Sequence, residues 1–209
     1  RYDDYDDVGS TFNPRAGLVF APTDKLYFKA LYGEAFRAPN VYEQYVRNNT
    51  VGVGNENIKS EEITTAEGQV GYHFTEKIRG SLTCFHVSAD NLIQYNYNPD
   101  LGMLEYQNVG RMESSGAEAE LRLTLGKYKY AYLNATWQDV KNTTNQTIYS
   151  AGGKAYTQED FFPGSIPEFY GNIGINYDFF DERVIANLHL TYYGERDRSE
   201  EMMWDENEE

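Results

Sequence analysis

The chain has 209 residues, and its 33 acidic against 18 basic side chains give it a net charge of −15. This balance argues against a nucleic-acid-binding protein, because phosphates are met by basic surfaces. The sequence has no run of about 18 apolar residues, which excludes a membrane-spanning helix, and its one cysteine excludes an internal disulfide. With 19 Tyr and 18 Gly, the composition favours a folded, β-rich chain over a disordered one.

Alternation of apolar and polar residues with a period of two dominates the chain and predicts β-strands. We predict eight full strands, at 13–22, 26–37, 64–74, 78–97, 104–125, 130–141, 166–180 and 184–197. In the fourth of them the apolar parity shifts near Cys84 and Phe85, which predicts a β-bulge there. Residues 1–6 are interpreted as the tail of a preceding strand, and 7–12 as the connection that follows it.

The connections between these strands alternate in length. Short links lie at Thr23–Lys25, Thr75–Lys77, Gly126–Lys129 and Asp181–Arg183, and longer links at about 38–63, 98–103 and 142–165. In an antiparallel meander, this order places all short turns at one end and all long loops at the other, as in outer-membrane barrels. Soluble up-and-down barrels show some of the same asymmetry. By this topology both ends of the sequence lie among the long loops, so we expect 209 residues to be one part of a larger barrel.

The two faces of the predicted strands differ in chemistry. In the fifth strand Ala117, Ala119, Leu121, Leu123 and Leu125 share one face, whereas Glu118, Glu120 and Arg122 lie on the other. The charged face, with Lys29, Glu67 and Gln69 on other strands, suits a water-filled lumen. The apolar stripes end in aromatic residues, as interfacial girdles do: Tyr32, Phe74, Trp137, Tyr177 and Tyr192. We therefore predict an all-β fold, an antiparallel up-and-down transmembrane β-barrel segment.

Short motifs along the chain resemble those of TonB-dependent outer-membrane receptors, in the family's order. Tyr32-Gly33 with Ala35-Phe36-Arg37-Ala38-Pro39 resembles the signature YGxAFRAP. The segment 54–61, with Asn55 and Asn57, resembles GNPNLKPE, although Glu56 and Ser60 replace its two prolines. Three further matches are Asn13-Pro14-Arg15-Ala16-Gly17-Leu18 to SPRLGL, Asn108-Val109-Gly110 with Ser115-Gly116-Ala117-Glu118 to NxG and GxE, and Ile166-Pro167-Glu168 to a strand-opening IP.

The resemblance implies a 22-stranded barrel whose lumen is filled by a plug. Residues 1–209 would supply about eight of its strands. It also implies active uptake of a scarce solute at the cell outer membrane, driven by the TonB–ExbB–ExbD complex acting through the plug. The implied partners are outer-membrane lipid and an extracellular iron chelate, because iron-siderophores are the family's commonest solutes. Cobalamin, glycans and haem are others. Two alternatives remain open: a small complete pore or adhesin barrel, and a soluble β-barrel that binds a small molecule.

Candidate ligand-binding residues lie in the long links. The resemblance places Arg37 near the ligand pocket, although a strand-end arginine paired with a carboxylate is the structural alternative. An aromatic platform of loop residues, or mere loop packing, is predicted for Tyr42, Tyr45, Arg47, Tyr149, Tyr156, Phe161 and Phe162. The acidic surface disfavours a strongly anionic catecholate unless basic residues offset it locally, for which the candidates are Arg37, Arg47, Arg111, Arg196 and Arg198.

Other kinds of site find little support in the sequence. No histidine lies between Asn40 and Asn57, where haem receptors of the family place one, so haem is disfavoured. No His-x-x-x-His or Cys-x-x-Cys spacing occurs, and no nucleophile stands beside a base. We therefore expect no enzyme activity, no cofactor and no metal site.

Overall fold

The computed structural model describes residues 1–5, 9–47, 52–143, 146–149, 155–158 and 166–196, which form β-strands with very little helix. The elements in chain order are β1 (Tyr2–Tyr5), β2 (Gly9–Phe12), β3 (Arg15–Phe20), β4 (Leu26–Arg37), α1 (Val41–Tyr45), β5 (Gly52–Val53), β6 (Glu61–His73), β7 (Ile78–Asn98), β8 (Met103–Thr124), β9 (Tyr130–Asn142), β10 (Gln146–Tyr149), β11 (Ala155–Gln158), β12 (Phe169–Phe179) and β13 (Val184–Tyr193). None of the helices in these ranges is long and apolar enough to span a membrane.

One large sheet contains the eight strands that the sequence predicted. Its order is β13-β12-β9-β8-β7-β6-β4-β3, so that every strand on this path pairs antiparallel with its neighbour along the chain. The two-residue strand β5 adds a short parallel pairing to β8. Among the described residues β3 and β13 do not pair with each other. The sheet is therefore an open up-and-down meander, a partial barrel, as predicted.

The register of the sheet joins the apolar stripes of all eight strands into continuous rows. One row of directly opposed residues runs through Phe20, Phe28, Val70, Leu82, Ala119, Ala135, Gly171 and Tyr192. The next row, on the opposite face, runs through Val19, Lys29, Gln69, Thr83, Glu118, Thr136, Tyr170 and Tyr193. We call the side of the first row the apolar face and the side of the second the polar face.

The apolar face is not covered by other protein in the described part of the chain. Leu18 is 67% exposed, and Leu121, Leu133, Ile173 and Leu188 on neighbouring strands are exposed as well. The buried apolar residues are instead Ile58, Ala89, Ile93 and Val140, which belong to the long-loop end of the sheet or the loop beside it. A soluble barrel or sandwich would bury its apolar rows, so this distribution fits lipid contact.

The bulge lies elsewhere than the sequence indicated. Pairing of β7 with both of its neighbours is regular through Cys84 and Phe85, and the register shifts between Ala89 and Ile93, where Asn91 adopts a φ of 56°. The apolar parity shifts at Phe85 because that ring lies on the polar face against Gly116, where a Cβ atom would come within 2.6 Å of it. The glycine allows the aromatic ring to pack flat on the neighbouring strand.

Two predicted connections are shorter than expected or form a strand. The link at 98–103 is a four-residue turn, because β7 and β8 remain paired as far as Asn98 and Met103. The long-loop end is built here by strand extension, which the sequence alternation did not reveal. Residues 9–12, predicted as a connection, form β2. This strand pairs antiparallel with β1, with Phe12 opposite Tyr2 and Gly9 opposite Tyr5.

The short turns are held by local hydrogen bonds. The Thr23 hydroxyl accepts from the amides of Lys25 and Leu26 at 3.3 and 3.0 Å. Thr75 repeats this arrangement with Lys77 and Ile78 at 3.2 and 3.0 Å. Threonine therefore helps to close both turns through bonds to amides two and three residues further along the chain.

Candidate functional site

Arg37 anchors the long loop between β4 and β6 to the polar face. Its Nε and Nη2 each donate to one oxygen of Glu61 at 2.6 Å, and Nη1 donates to both oxygens of Glu43 at 3.0 and 3.1 Å. The Arg37 side chain is 43% exposed, whereas those of Glu43 and Glu61 are 11% and 12% exposed. This fork-to-carboxylate geometry joins two segments that are 24 residues apart in sequence.

The helix α1 starts where it does because Asn40 caps it. The Asn40 side-chain oxygen accepts from the Glu43 amide at 2.9 Å, and the Glu43 carboxylate accepts from the Asn40 amide at 2.8 Å. This reciprocal capping box satisfies two amides of the first turn that would otherwise lack partners. Glu43 thereby caps the helix and receives Arg37 at the same time, so the loop fold and the ion pair depend on one carboxylate.

Glu61 links the same network to β7. Its Oε1 accepts from the buried Ile93 amide at 2.9 Å, beside the register shift. Burial raises the pKa of the Glu61 carboxyl, but the hydrogen bonds from Arg37 and Ile93 and the charge of Arg37 together lower it below its ordinary 4.5. The hydrogen bonds to Glu61 and then to Glu43 raise the pKa of Arg37 against a smaller opposing effect of burial. Both groups are therefore ionised at neutral pH.

The asparagines of the second motif fix the rest of the loop. The Asn55 amide donates to the Glu43 carbonyl at 3.0 Å, and its side-chain oxygen accepts from the Asn57 amide at 2.9 Å. Gly54 lies directly against the helix, since a Cβ there would come within 2.6 Å of the Gln44 backbone. These contacts require a small residue followed by a short polar one, which explains the Gly-Asn pair in structural terms.

Asn108 on β8 closes the loop from the other side. Its side-chain oxygen accepts from the Lys59 amide at 2.7 Å, while its Nδ2 donates to the carbonyls of Lys59 and Asn91 at 2.9 and 2.7 Å. One side chain thus joins the loop, the register shift of β7 and β8. The motif residues Arg37, Asn55 and Asn108 all have structural partners, so their chemistry alone does not identify a ligand.

A cavity of about 560 Å³ opens at the long-loop end of β3 and β4. Arg15 and Arg37 line it, together with Arg1, Tyr5, Asn13, Glu34, Ala35, Phe36 and Ala38. Phe36 meets Tyr5 edge to face at a ring distance of 5.8 Å. Arg15 is exposed, and no ion pair in the described ranges involves it. Unlike Arg37, Arg15 therefore presents an uncommitted guanidinium to the cavity.

Arg15 was not among the candidates that the sequence predicted. The strand-opening segment Asn13-Pro14-Arg15 resembled a family motif, and Arg15 stands directly opposite Gly33 on β4. A glycine opposite an arginine leaves room for its side chain to spread over the neighbouring strand. Such a pairing depends on register, which the sequence alone did not supply.

The predicted platform residues lie apart from this cavity where their side chains are described. Tyr42 and Tyr45 project from α1 at 52% and 43% exposure. The ring of Tyr42 meets the edge of Tyr106, which stacks on Tyr95 at 3.9 Å. Arg47 pairs with Glu56. Tyr149 and Tyr156 lie within β10 and β11, but their side chains, like Phe161 and Phe162, lie outside the described residues.

The remaining arginines proposed to offset the acidic rim also have neighbours. Arg111 pairs with Asp90 at 3.3 Å and with Glu113 at 2.5 Å. The Arg196 guanidinium lies over the Tyr193 ring at 5.0 Å, and Arg198 is outside the described residues. Within the part of the chain that the structure describes, no group of three or more His, Cys, Asp or Glu side chains could hold a metal ion.

Comparison with known proteins relates the chain to a family of receptors. The family model described as TonB dependent receptor-like, beta-barrel matches residues 1–204. The Vitamin B12 transporter BtuB of Vibrio cholerae is 32% identical over 151 residues, which cover 71% of this chain and 23% of that protein. The Heme/hemopexin utilization protein C of Haemophilus influenzae is 24% identical over 241 residues, covering 95% of this chain and 31% of that protein.

A solved structure shares the fold at lower identity. The ferric enterobactin receptor PfeA of Pseudomonas aeruginosa, solved as a mutant, superposes with a TM-score of 0.72 at 20% identity. The match covers 95% of this chain and 30% of that one. The chain thus spans about a quarter to a third of the length of these proteins.

Proposed function

Because the chain belongs to the TonB-dependent receptor-like β-barrel family, we propose that it is part of a receptor that takes up an iron-siderophore actively. Receptors of this family are outer-membrane β-barrels, and we place this one in the outer membrane of a Gram-negative bacterium. Residues 1–209 would contribute about eight strands to one larger, 22-stranded barrel domain. Energy would come from the TonB–ExbB–ExbD complex through a plug.

The arginine-lined cavity at the long-loop end is the observation that supports an iron-siderophore as the solute. Arg15 brings an uncommitted positive charge into a space of about 560 Å³, beside the aromatic rings of Tyr5 and Phe36. Guanidinium groups bind carboxylate and catecholate oxygens through paired, charge-assisted hydrogen bonds. In a chain of net charge −15, this cavity supplies the local basic surface that an anionic iron chelate needs.

Cobalamin is the second candidate, because the relative with 32% identity is a vitamin B12 transporter. Its uncharged amide periphery gains less from Arg15 than an anionic chelate does. Haem is supported by the relative with 24% identity, but no histidine occurs between Asn40 and Asn57. Family membership and the uncovered apolar face favour a receptor over a small pore, an adhesin or a soluble binding barrel. The relatives are named as transporters and utilisation proteins, so we propose no catalysis.

The loop residues predicted as a platform belong to the same proposal. Tyr42 and Tyr45 are exposed on α1, which the Arg37 network holds over the polar face. We expect Arg47, Tyr149, Tyr156, Phe161 and Phe162 to add contacts from the neighbouring loop segments. Rigid tyrosines on an anchored helix suit a second set of ligand contacts.

The proposal is tested by ligand binding to the full-length protein in detergent. Titrations with ferric siderophores of catecholate, hydroxamate and carboxylate type, with cyanocobalamin and with haemin would identify the solute. Arg15→Gln should weaken binding of the ferric chelate about tenfold, the loss of about one charge-assisted contact. Lys141→Gln, which removes a cation from the apolar face of β9, is the matched control and should bind normally.

Uptake is measured in parallel as growth of a receptor-deficient strain under iron limitation. The proposal predicts growth on the ferric chelate that binds and none when TonB is absent. Binding of cyanocobalamin, with no binding of any ferric chelate, would contradict the iron-siderophore proposal and identify cobalamin as the solute. Unchanged chelate binding by Arg15→Gln would show that the Arg15 cavity does not bind the chelate.

A further inference from the structure

Basic side chains also gather on the polar face at the opposite, short-turn end of the sheet. His73, Arg79 and Arg122 occupy one row, because His73 stands directly opposite Arg79 and Arg79 directly opposite Arg122. These residues lie on three adjacent strands, whose spacing of about 5 Å allows their side chains to reach one shared group. We call these three residues the cationic row.

The cationic row is electrostatically unfavourable without an additional partner. Like charges directly opposite each other on neighbouring strands destabilise a sheet. The ion pairs formed by the described residues include none with Arg79 or Arg122. Arg122 instead lies over the Tyr130 ring at 4.8 Å. Among the described residues, Arg79 and Arg122 thus lie opposite each other on neighbouring strands without a carboxylate partner.

A cavity of about 270 Å³ lies at the His73 and Arg79 end of this row. It is lined by Lys29, His73 and Arg79, with Tyr27, Gln69 and Glu120 among the other neighbours. The Lys29 ammonium lies over the Tyr27 ring at 5.1 Å, and the same ring meets His73 edge to face at 6.3 Å. Tyr27 rests against Gly71, where a Cβ would come within 2.0 Å of the ring, so the aromatic wall lies close to the sheet.

The cavity can accommodate a small anion with its waters. Its volume equals that of several water molecules, each of about 30 Å³. Glu120 is the carboxylate among its lining residues, and among the described ion pairs none joins Glu120 to a cation. Lys29 and Arg79 therefore outnumber it in the lining, and Arg122, on the strand next to Arg79, adds a further positive charge.

We propose that the cationic row and its cavity form an oxyanion-binding site for a phosphate or carboxylate group. The planar guanidinium fork of Arg79 matches both groups, the Lys29 ammonium lines the same cavity, and Arg122 adds a second guanidinium on the adjacent strand. The anion removes the repulsion between Arg79 and Arg122. The site lies at the opposite end of the polar face from the Arg15 cavity and does not depend on which solute that cavity binds.

The sign of a stability change tests the proposal in the full-length protein in detergent. If an oxyanion occupies the site, neutralising Arg79 or Arg122 removes its partner, and the thermal midpoint falls. If the site is empty, Arg79→Gln relieves like-charge repulsion, and the midpoint stays or rises. Lys127→Gln, in the neighbouring short turn, is the control for the loss of one positive charge. Arg79→Lys keeps a positive charge at this position and should retain most of the stability that Arg79→Gln loses.

The source of the oxyanion is distinguished by replacing chloride with inorganic phosphate at constant ionic strength. Phosphate stabilises proteins generally, so only the difference between wild type and variant is informative. A phosphate-dependent rise lost in Arg79→Gln and Arg122→Gln but kept in Lys127→Gln identifies a free anion. Lower midpoints in both variants without a specific phosphate effect identify a carboxylate of the polypeptide itself. Unchanged or raised midpoints with no specific phosphate effect would overturn the proposal.

Discussion

The two faces of the same strands differ in how they are stabilised. On the apolar face, rows such as Phe28, Val70 and Leu82 meet across neighbouring strands, and nothing in the described chain packs over them. On the polar face, side chains form specific hydrogen bonds: Gln69 to Thr83 at 2.9 Å, and Asn172 to Asn134 at 2.8 Å. The first face requires only that a residue be apolar, whereas the second requires particular partners.

This difference explains where function can lie. Lipid offers no hydrogen bonds, so polar groups are disfavoured on the part of the apolar face that meets lipid. The polar face meets water and can hold charges such as Arg15, the Arg37 network and the cationic row. The arginines of the candidate sites therefore lie on the polar face, and the apolar face is the one suited to lipid.

The largest expected effect comes from placing a charge on the apolar face. Leu121→Arg puts a guanidinium in the middle of the lipid-facing row of β8 and should cost about 2–4 kcal/mol of unfolding free energy. Urea titration of the full-length protein in lipid vesicles measures this cost. Glu118→Arg, one of the polar-face residues of the same strand, is the control and should cost less than about 1 kcal/mol. Equal costs for the two variants would show that the faces are misassigned.

Replacing a glycine by alanine should be costly in the anchored loop and nearly neutral on the apolar face. Gly54→Ala would bring a Cβ within 2.6 Å of the Gln44 backbone and should destabilise the docked loop by about 1–3 kcal/mol. Hydrogen exchange at the Asn55 amide, which donates to Glu43, reports the loss. Gly68→Ala makes the same change on the apolar face, where no atom lies within 4 Å, and should be nearly neutral. A protected Asn55 amide in Gly54→Ala would contradict the loop packing described above.

Removing one carboxylate charge should weaken the polar-face network to a smaller extent. Glu61→Gln loses the charge that Arg37 and the Ile93 amide share and should cost about 1–2 kcal/mol, since Arg37 is itself partly exposed. Faster exchange of the Ile93 amide measures this effect. Glu62→Gln removes the neighbouring charge on the apolar side of β6 and should leave that amide unchanged. If both variants behaved alike, Glu61 would have no special role.

The same carboxyl predicts a pH dependence. Because the pKa of Glu61 is lower in the folded protein than its ordinary 4.5, the unfolded state takes up the proton first as the pH falls. The stabilisation is therefore complete above about pH 5 and is lost as the pH decreases through the folded pKa. Exchange at Ile93 should accelerate in this range beyond its intrinsic pH dependence, and Glu61→Gln should lack that acceleration.

The smallest expected effect lies in a short turn, which belongs to neither face. Thr75→Ala removes the hydroxyl that accepts from Lys77 and Ile78 and should cost about 0.5–1 kcal/mol. Urea titration in vesicles again provides the measurement, and Thr83→Val on the polar face tests whether one lost side-chain hydrogen bond costs more there. A larger loss for Thr75→Ala than for Glu61→Gln would contradict the importance given to long-range contacts.

Much of the sheet was predictable because its faces follow a period of two. The third predicted strand, 64–74, corresponds to Glu61–His73, and the seventh, 166–180, to Phe169–Phe179. Alternation reveals which residues share a face without any knowledge of their partners. It does not reveal how far two strands stay paired, which is why the turn at 99–102 was predicted as part of a longer loop.

The site was less predictable because it depends on contacts distant in sequence. The helix α1 and its cap, Asn40 with Glu43, were not predicted, because a five-residue helix is too short to show its own periodicity. An Arg37 paired with a carboxylate was the structural alternative given by the sequence, but its engagement by Glu61 depends on the pairing of β4 with β6. Arg15 became distinct only when the ion pairs of its neighbours were known.

The assignment of the two faces is tested most directly by spin labels along β8. Single cysteines at positions 117 to 124, in full-length protein with Cys84→Ser in lipid vesicles, would carry the labels one at a time. Collision with oxygen, which concentrates in lipid, should be high at positions 117, 119, 121 and 123 and low at 118, 120, 122 and 124. A flat profile, or maxima at the even positions, would contradict a sheet whose apolar face lies in the membrane.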